Sequence, residues 1–159
     1  PEERKKVIKE ELEEMREQYC ALNGLFFDKS YPKGALIEKY TAFINLNPKY
    51  YAAYRDRAIL YTHIGKYREA VADNQLLITH NERVWSDAII NKAEALFFLK
   101  DYDEALKIAN HYFAICEKPT AECYRIRAEI FRKLKMSDEY KADMRESKRL
   151  RKEEKNRIW

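Results

Sequence analysis

The strongest constraint on this chain is that it resembles itself. Four segments align, one running from Glu17 to Lys49 and the others opening near Tyr51, Ser86 and Ala121, with starts 34, 35 and 35 residues apart. Each carries a small residue followed three places later by an aromatic or large apolar one: Gly24 with Phe27, Ala58 with Tyr61, Ala93 with Leu96, Ala128 with Phe131. A short polar break follows, then a second apolar-periodic stretch. A period of this length means stacked helical hairpins, because one hairpin cannot bury its apolar face alone. The small residues mark where paired helices approach closely, and the aromatics one turn later fill the wedge against the next hairpin.

Composition agrees with helices throughout. The 159 residues include only 3 Gly and 4 Pro, with 36% charged and 46% apolar residues, which suits helices that bury one face. No apolar run approaches the length of a membrane span. No charged-then-apolar-then-small opening marks a signal peptide. The chain opens at Pro1 rather than Met, so the expectation is a fragment or processed product of a longer protein, with any targeting segment lost with the missing start. Three cysteines (Cys20, Cys116, Cys123) without metal-type spacing read as reduced, small packing residues in a cytoplasmic setting.

The second and third units carry a more specific pattern. Tyr54, Ala58, Tyr61, Gly65, Tyr67 and Ala70 run through the second, Lys100-Asp-Tyr102-Asp-Glu-Ala105 repeats its turn, and Pro48 closes the first. This resembles the tetratricopeptide repeat over about residues 17–144, with departures at Leu36 and Tyr140, which stand where an Ala opens the second helix. The resemblance implies an all-α, right-handed superhelical solenoid of about four antiparallel helix pairs. It also implies that the first helix of each pair lines a concave wall that holds a peptide or protein segment. The inward positions would then be Arg55, Asp56, Ile59 and His63 in the second unit. The third gives Asp87, Ile90, Asn91, Glu94, Phe97 and Phe98, and the fourth Arg125, Glu129 and Arg132. Phe97 and Phe98 diverge by about 100° on a helix, so they are not expected to face the same neighbour: either both are packing residues, or one is core and the other exposed in the wall.

The sub-family that clamps acidic chaperone C-termini needs Lys, Asn and Arg at defined inward places. This chain offers Asp56, Asp87 or Glu122 at several of them and agrees only at Asn91. Carboxylates there would repel a terminal carboxylate, so that role is not expected.

Helical extensions flank the repeats. Ile8, Leu12, Met15, Tyr19, Leu22 and Phe26 recur at alternating spacings of four and three, predicting one helix from about Glu2 to Lys29 that joins an extension, 1–16, to the first repeat helix. Its stripe is expected to pack on the chain's own repeats, with a seam to a second copy or an exposed, frayed end as the alternatives. Residues 145–159 form a basic helical tail. Residues 141–159 hold eight Lys/Arg and four Asp/Glu, which is the whole excess of +4, so the repeat body is neutral. Such a run reads as a solvated face, an acidic-partner or RNA contact, or a helix continuing past Ile158-Trp159.

No catalytic, cofactor or metal constellation emerges. His63, His80 and His111 fall in different units, His111 with Cys116 and Cys123 straddles a helix end, and no Gly-rich phosphate loop exists. The expectation is a non-enzymatic protein-interaction module. RNA binding through the 12 tyrosines, or an oligomerisation role for the N-terminal helix, are the alternatives. The neutral body argues against a nucleic-acid stripe.

Overall fold

The computed structural model describes residues 2–157; Ile158-Trp159 lie outside the described residues. It contains, among these, eight helices and no strands: α1 (Glu2–Phe27), α2 (Lys33–Leu46), α3 (Tyr51–His63), α4 (Tyr67–Asn81), α5 (Ser86–Phe98), α6 (Tyr102–Ile115), α7 (Ala121–Lys133) and α8 (Ser137–Arg157). Helices α3, α5 and α7 open at Tyr51, Ser86 and Ala121, where the sequence period placed them. Two compact units form, one ending at Lys66 and holding α1–α3, the other beginning at Tyr67 and holding α4–α8.

The turns after α3, α5 and α7 repeat one geometry. Gly65, Lys100 and Lys135 take positive φ values of 78°, 66° and 60°. At each, the next amide reaches back five residues: Lys66 N to Tyr61 O (2.8 Å), Asp101 N to Leu96 O (3.0 Å) and Met136 N to Phe131 O (2.9 Å). The left-handed residue's own amide bonds to Thr62 O, Phe97 O or Arg132 O. This paired closure caps the orphan carbonyls of a helix end. Glycine adopts it without cost, whereas the two lysines carry a Cβ there.

In the second unit, α5 and α7 flank α6, and α4 packs on α5 as α8 packs on α7. Its core joins Ile89, Ile90, Ala93 and Leu96 of α5 to Ala105, Ala109 and Tyr112 of α6 and to Cys123, Ile126 and Ile130 of α7. Ala93, Ala105 and Ala128 have no exposed surface, so the helices meet where side chains are smallest. Cys116 and Cys123 are free thiols, both donating to the Tyr112 hydroxyl at 3.2 Å. Arg127 lies 3.6 Å over the Phe113 ring and grips the buried Asp143 through two nitrogens, at 2.7 and 2.9 Å. That contact ties α7 to α8.

The first unit corrects two expectations. Ala58 is buried, as are Ala93 and Ala128, but Gly24 is exposed, with nothing within 4 Å of the place a Cβ would occupy, and Phe27 is 77% exposed. Tyr19 and Leu22 are buried instead. The apolar stripe of α1, not the small residue one repeat before Ala58, sets which face turns inward. That stripe is only half used. Val7, Ile8 and Leu12 are nearly half exposed, Met15 is half-buried, and packing begins at Tyr19. The first turns of α1 therefore do not pack as the stripe implied. Beyond them, Tyr19, Phe43 and Tyr50 form a three-ring cluster with centroids 4.6–5.9 Å apart.

Candidate interaction surface

The thirteen inward positions divide by burial. In the first unit, Asp56 is 3% exposed and belongs to the interior. Its Oδ2 accepts the Tyr19 hydroxyl at 2.5 Å and the Tyr40 hydroxyl at 3.4 Å, and its Oδ1 accepts Arg55 Nε and Nη2 at 2.9 and 2.8 Å. Asp56 is thus a latch between α1, α2 and α3 rather than a ligand contact. Burial, and then the neighbouring carboxylate, pushes both phenols well above their ordinary range. Burial lowers Arg55, but its bond to Asp56, the Asp56 charge and Tyr19 together raise it on balance. Arg55 and Ile59 are half-buried and His63 is exposed. His63 borders a cleft of about 360 Å³ floored by Leu25, Phe26, Leu36 and Leu60 and edged by Lys29 and Lys33.

In the second unit, Ile90 is buried and Phe97 packs against the core, so neither is a free wall residue. Phe98 is 44% exposed and stacks on Tyr67 with centroids 4.8 Å apart and planes 13° from parallel. Of the pair, Phe97 is the packing residue and Phe98 the exposed one. Asp87 and Arg132 are exposed; Asn91, Glu94, Arg125 and Glu129 are half-buried.

Two of these residues, Glu94 and Arg125, belong to a charge chain completed by Glu122 and Arg151. Arg125 reaches Glu94 on α5 at 3.3 Å and Glu122 on its own helix at 2.5 Å, and Arg151 of α8 meets Glu122 at 3.3 Å. Burial raises the Glu94 carboxyl against the pull of Arg125. Glu122 is lowered by its bonds to Arg125. Arg132 pairs with Glu129 at 2.8 Å. Glu122, weighed above only as a clamp position, and Arg151 are additions to the thirteen positions. The Glu122–Arg125 spacing of three was the available signal for the first; nothing local joins Arg151 to it.

The surface is therefore a row of pre-paired charges of both signs beside a stacked aromatic pair. Such a row orients a polar segment, and the exposed ring offers apolar area. Among the described residues no three His, Cys, Asp or Glu side chains converge as a metal set, and no helix is long and apolar enough to cross a membrane.

No protein-family model matches the chain. Two curated proteins from Arabidopsis thaliana are similar: Hsp70-Hsp90 organizing protein 3, 31% identical over 85 residues, and Hsp70-Hsp90 organizing protein 2, 32% identical over 85 residues. Each match covers 54% of this chain but only 15% and 14% of the relative, so the chain spans about a seventh of their length. Among solved structures, one titled "Crystal structure of MamA" superposes with a TM-score of 0.73 at 19% identity, over 98% of this chain and 87% of that one. Another, "MamA MSR-1 C2", gives 0.65 at 16% identity, over 77% and 69%. At such identities the likeness speaks to fold alone, and it agrees with the helix starts, the repeated turns and the buried alanines. The chain has the fold that its tetratricopeptide-like period implied, all-α and built from helical hairpins.

Proposed function

We propose that this chain is a non-catalytic interaction module that holds a segment of another protein against the exposed faces of its first-of-pair helices. The observation that carries this is the Glu94–Arg125–Glu122 chain beside the Phe98–Tyr67 stack. It supplies direction through charge and anchoring through an aromatic face, without a reactive group. With Arg151 on Glu122 its two acids and two bases neutralise one another, so specificity would come from the geometry of polar contacts rather than from bulk attraction. Arg55, Ile59 and His63 supply the corresponding surface of the first unit, and Asp87, Asn91, Glu129 and Arg132 extend that of the second. The relatives' name refers to Hsp70 and Hsp90; this chain's buried Asp56 and exposed Asp87 do not favour a terminal carboxylate as its own ligand.

The test is capture of partners by the immobilised chain, with Arg55→Ala, Asn91→Ala and Arg125→Ala combined and helicity checked by circular dichroism. Loss of the proteins retained by the unmodified chain is expected. Retention of all of them by a folded triple variant removes this surface from the account.

A further inference from the structure

Helices α4, α6 and α8 occupy equivalent places, 35 residues apart. In α4, Val71 and Ile78 pack on the core, and Gln75 accepts a bond from Lys92 of α5 at 2.7 Å. In α6, Leu106 and Phe113 pack likewise, and Asn110 accepts a bond from Arg127 of α7 at 3.4 Å. Phe113 also meets the Tyr124 ring of α7 at 4.8 Å. These rows therefore receive the helix that follows. The same row in α8 reads Lys141, Arg145 and Lys148, and continues as Lys152 and Lys155.

The five cations stand at spacings of four, three, four and three, along about 21 Å of one helix face. All are exposed, and none makes an ion pair among the described residues. Most acids of α8 face elsewhere: Asp143 is taken by Arg127, and Glu146 and Glu153 by Arg149, while Glu139 and Glu154 stand more than about 100° around the helix from the row's centre. Asp138, three residues before Lys141, is the one acid at the row's own spacing and stands at its first end. Like charges three and four places apart repel. Within α1, Lys6–Glu10 and Lys9–Glu13 place opposite signs four residues apart. A solvated end needs no single-sign row.

We propose that this face of α8 docks an acidic helical segment of a partner protein, lying on α8 as α5 lies on α4 and α7 on α6. The proposal rests on the interaction-module reading and names a second contact for it. Where Gln75 and Asn110 present amide acceptors to a cation, Arg145 presents a donor and requires an anion opposite. Carboxylates recurring every three or four residues on a helix match the row's rise. The row holds no aromatic to stack on a base and no apolar side chain to enter a bilayer, which disfavours RNA and lipid.

The probe is a fluorescein-labelled helical peptide with Glu at positions spaced four, three and four on one face, measured by anisotropy at low and near-physiological salt. A peptide of the same composition with its Glu residues distributed around the helix is the control. Lys141→Gln, Arg145→Gln and Lys148→Gln together should weaken binding by roughly tenfold. Lys5→Gln, Lys6→Gln and Lys9→Gln together, with the same charge loss on α1, should leave it unchanged. The proposal falls if the scrambled peptide binds as tightly, if both variants lose affinity alike, or if oligouridylate or phosphatidylserine vesicles displace the peptide at lower charge concentration. The Arg55/Asn91/Arg125 triple variant should still bind the Glu-row peptide, so failure of one surface is distinguishable from failure of the other.

Discussion

The Tyr19–Asp56 bond should behave as the fastening of α1 onto α3, and its worth can be set from geometry. The hydroxyl sits 2.5 Å from a carboxylate oxygen, and both residues are less than a tenth exposed. A buried hydrogen bond to a charged acceptor contributes about 1.5–3 kcal/mol. Tyr40, at 3.4 Å, is at the edge of hydrogen-bonding range and adds little. Arg55 is partly exposed, so its pair contributes at most about 1 kcal/mol. Tyr19→Phe should therefore cost about 2 kcal/mol, because Asp56 keeps its other donors. Asp56→Ala should cost about 3–4 kcal/mol, leaving two buried phenols short of an acceptor. The double variant should cost about 1.5–2 kcal/mol less than the sum, which is the coupling through the shared bond. Native-state hydrogen exchange of α1 and α3 amides, with urea unfolding followed by circular dichroism, measures each corner of the cycle. Additive costs, with coupling below about 0.5 kcal/mol, would refute the latch and return Asp56 to the list of incidental buried acids.

Ala93 has no exposed surface and lies where α5 meets its neighbours, so Ala93→Leu should overpack the contact and cost about 1–3 kcal/mol in urea unfolding. Asn74 is 1% exposed, and its Oδ1 has no partner while its Nδ2 bonds to Ala70 O at 2.9 Å. Asn74→Leu should raise stability by about 1 kcal/mol, seen as a higher urea midpoint with unchanged slope. Lys100 holds a left-handed turn that glycine takes freely at Gly65, so Lys100→Gly should stabilise by about 0.5–1 kcal/mol, and a loss would show that its side chain packs productively. The Tyr19 and Tyr40 phenols ionise at higher pH folded than unfolded. Their contribution is therefore complete below about pH 10, where free phenols begin to ionise, and is lost as pH rises above it. Unfolding free energy should be level from neutrality to mild alkali and then fall, less steeply in Tyr19→Phe.

What the sequence disclosed depended on whether a residue's neighbours were local. The starts of α3, α5 and α7, and the burial of Ala58, Ala93 and Ala128, follow from a period that every repeat enforces on the next. The three left-handed turns were visible only at Gly65, since nothing in Lys100 or Lys135 announces positive φ. Within the first unit the same period misled. Gly24 inherits its alignment from Ala58, yet α1 is the first helix of its unit, and no earlier hairpin requires a small residue there. With that requirement absent, the 3.5-residue stripe through Tyr19 and Leu22 decides the face, and Gly24 turns to solvent.

Asp56 shows the complementary limit. On its own helix it is an acid at a position the resemblance assigns to a ligand-facing wall. It becomes interior because Tyr19 and Tyr40 bring hydroxyls to it from 37 and 16 residues away. No short-range pattern encodes that convergence. Four donors around one carboxylate let an otherwise costly buried charge serve as a joint. Arg125 makes the reverse case: its partners Glu122 and Glu94 lie on the same helix and on the helix one repeat earlier, and it stays part of the surface the period placed it on. A side chain in this fold thus remains available to a partner when its contacts come from equivalent positions in neighbouring repeats. It is drawn inward when they come from outside the repeat register.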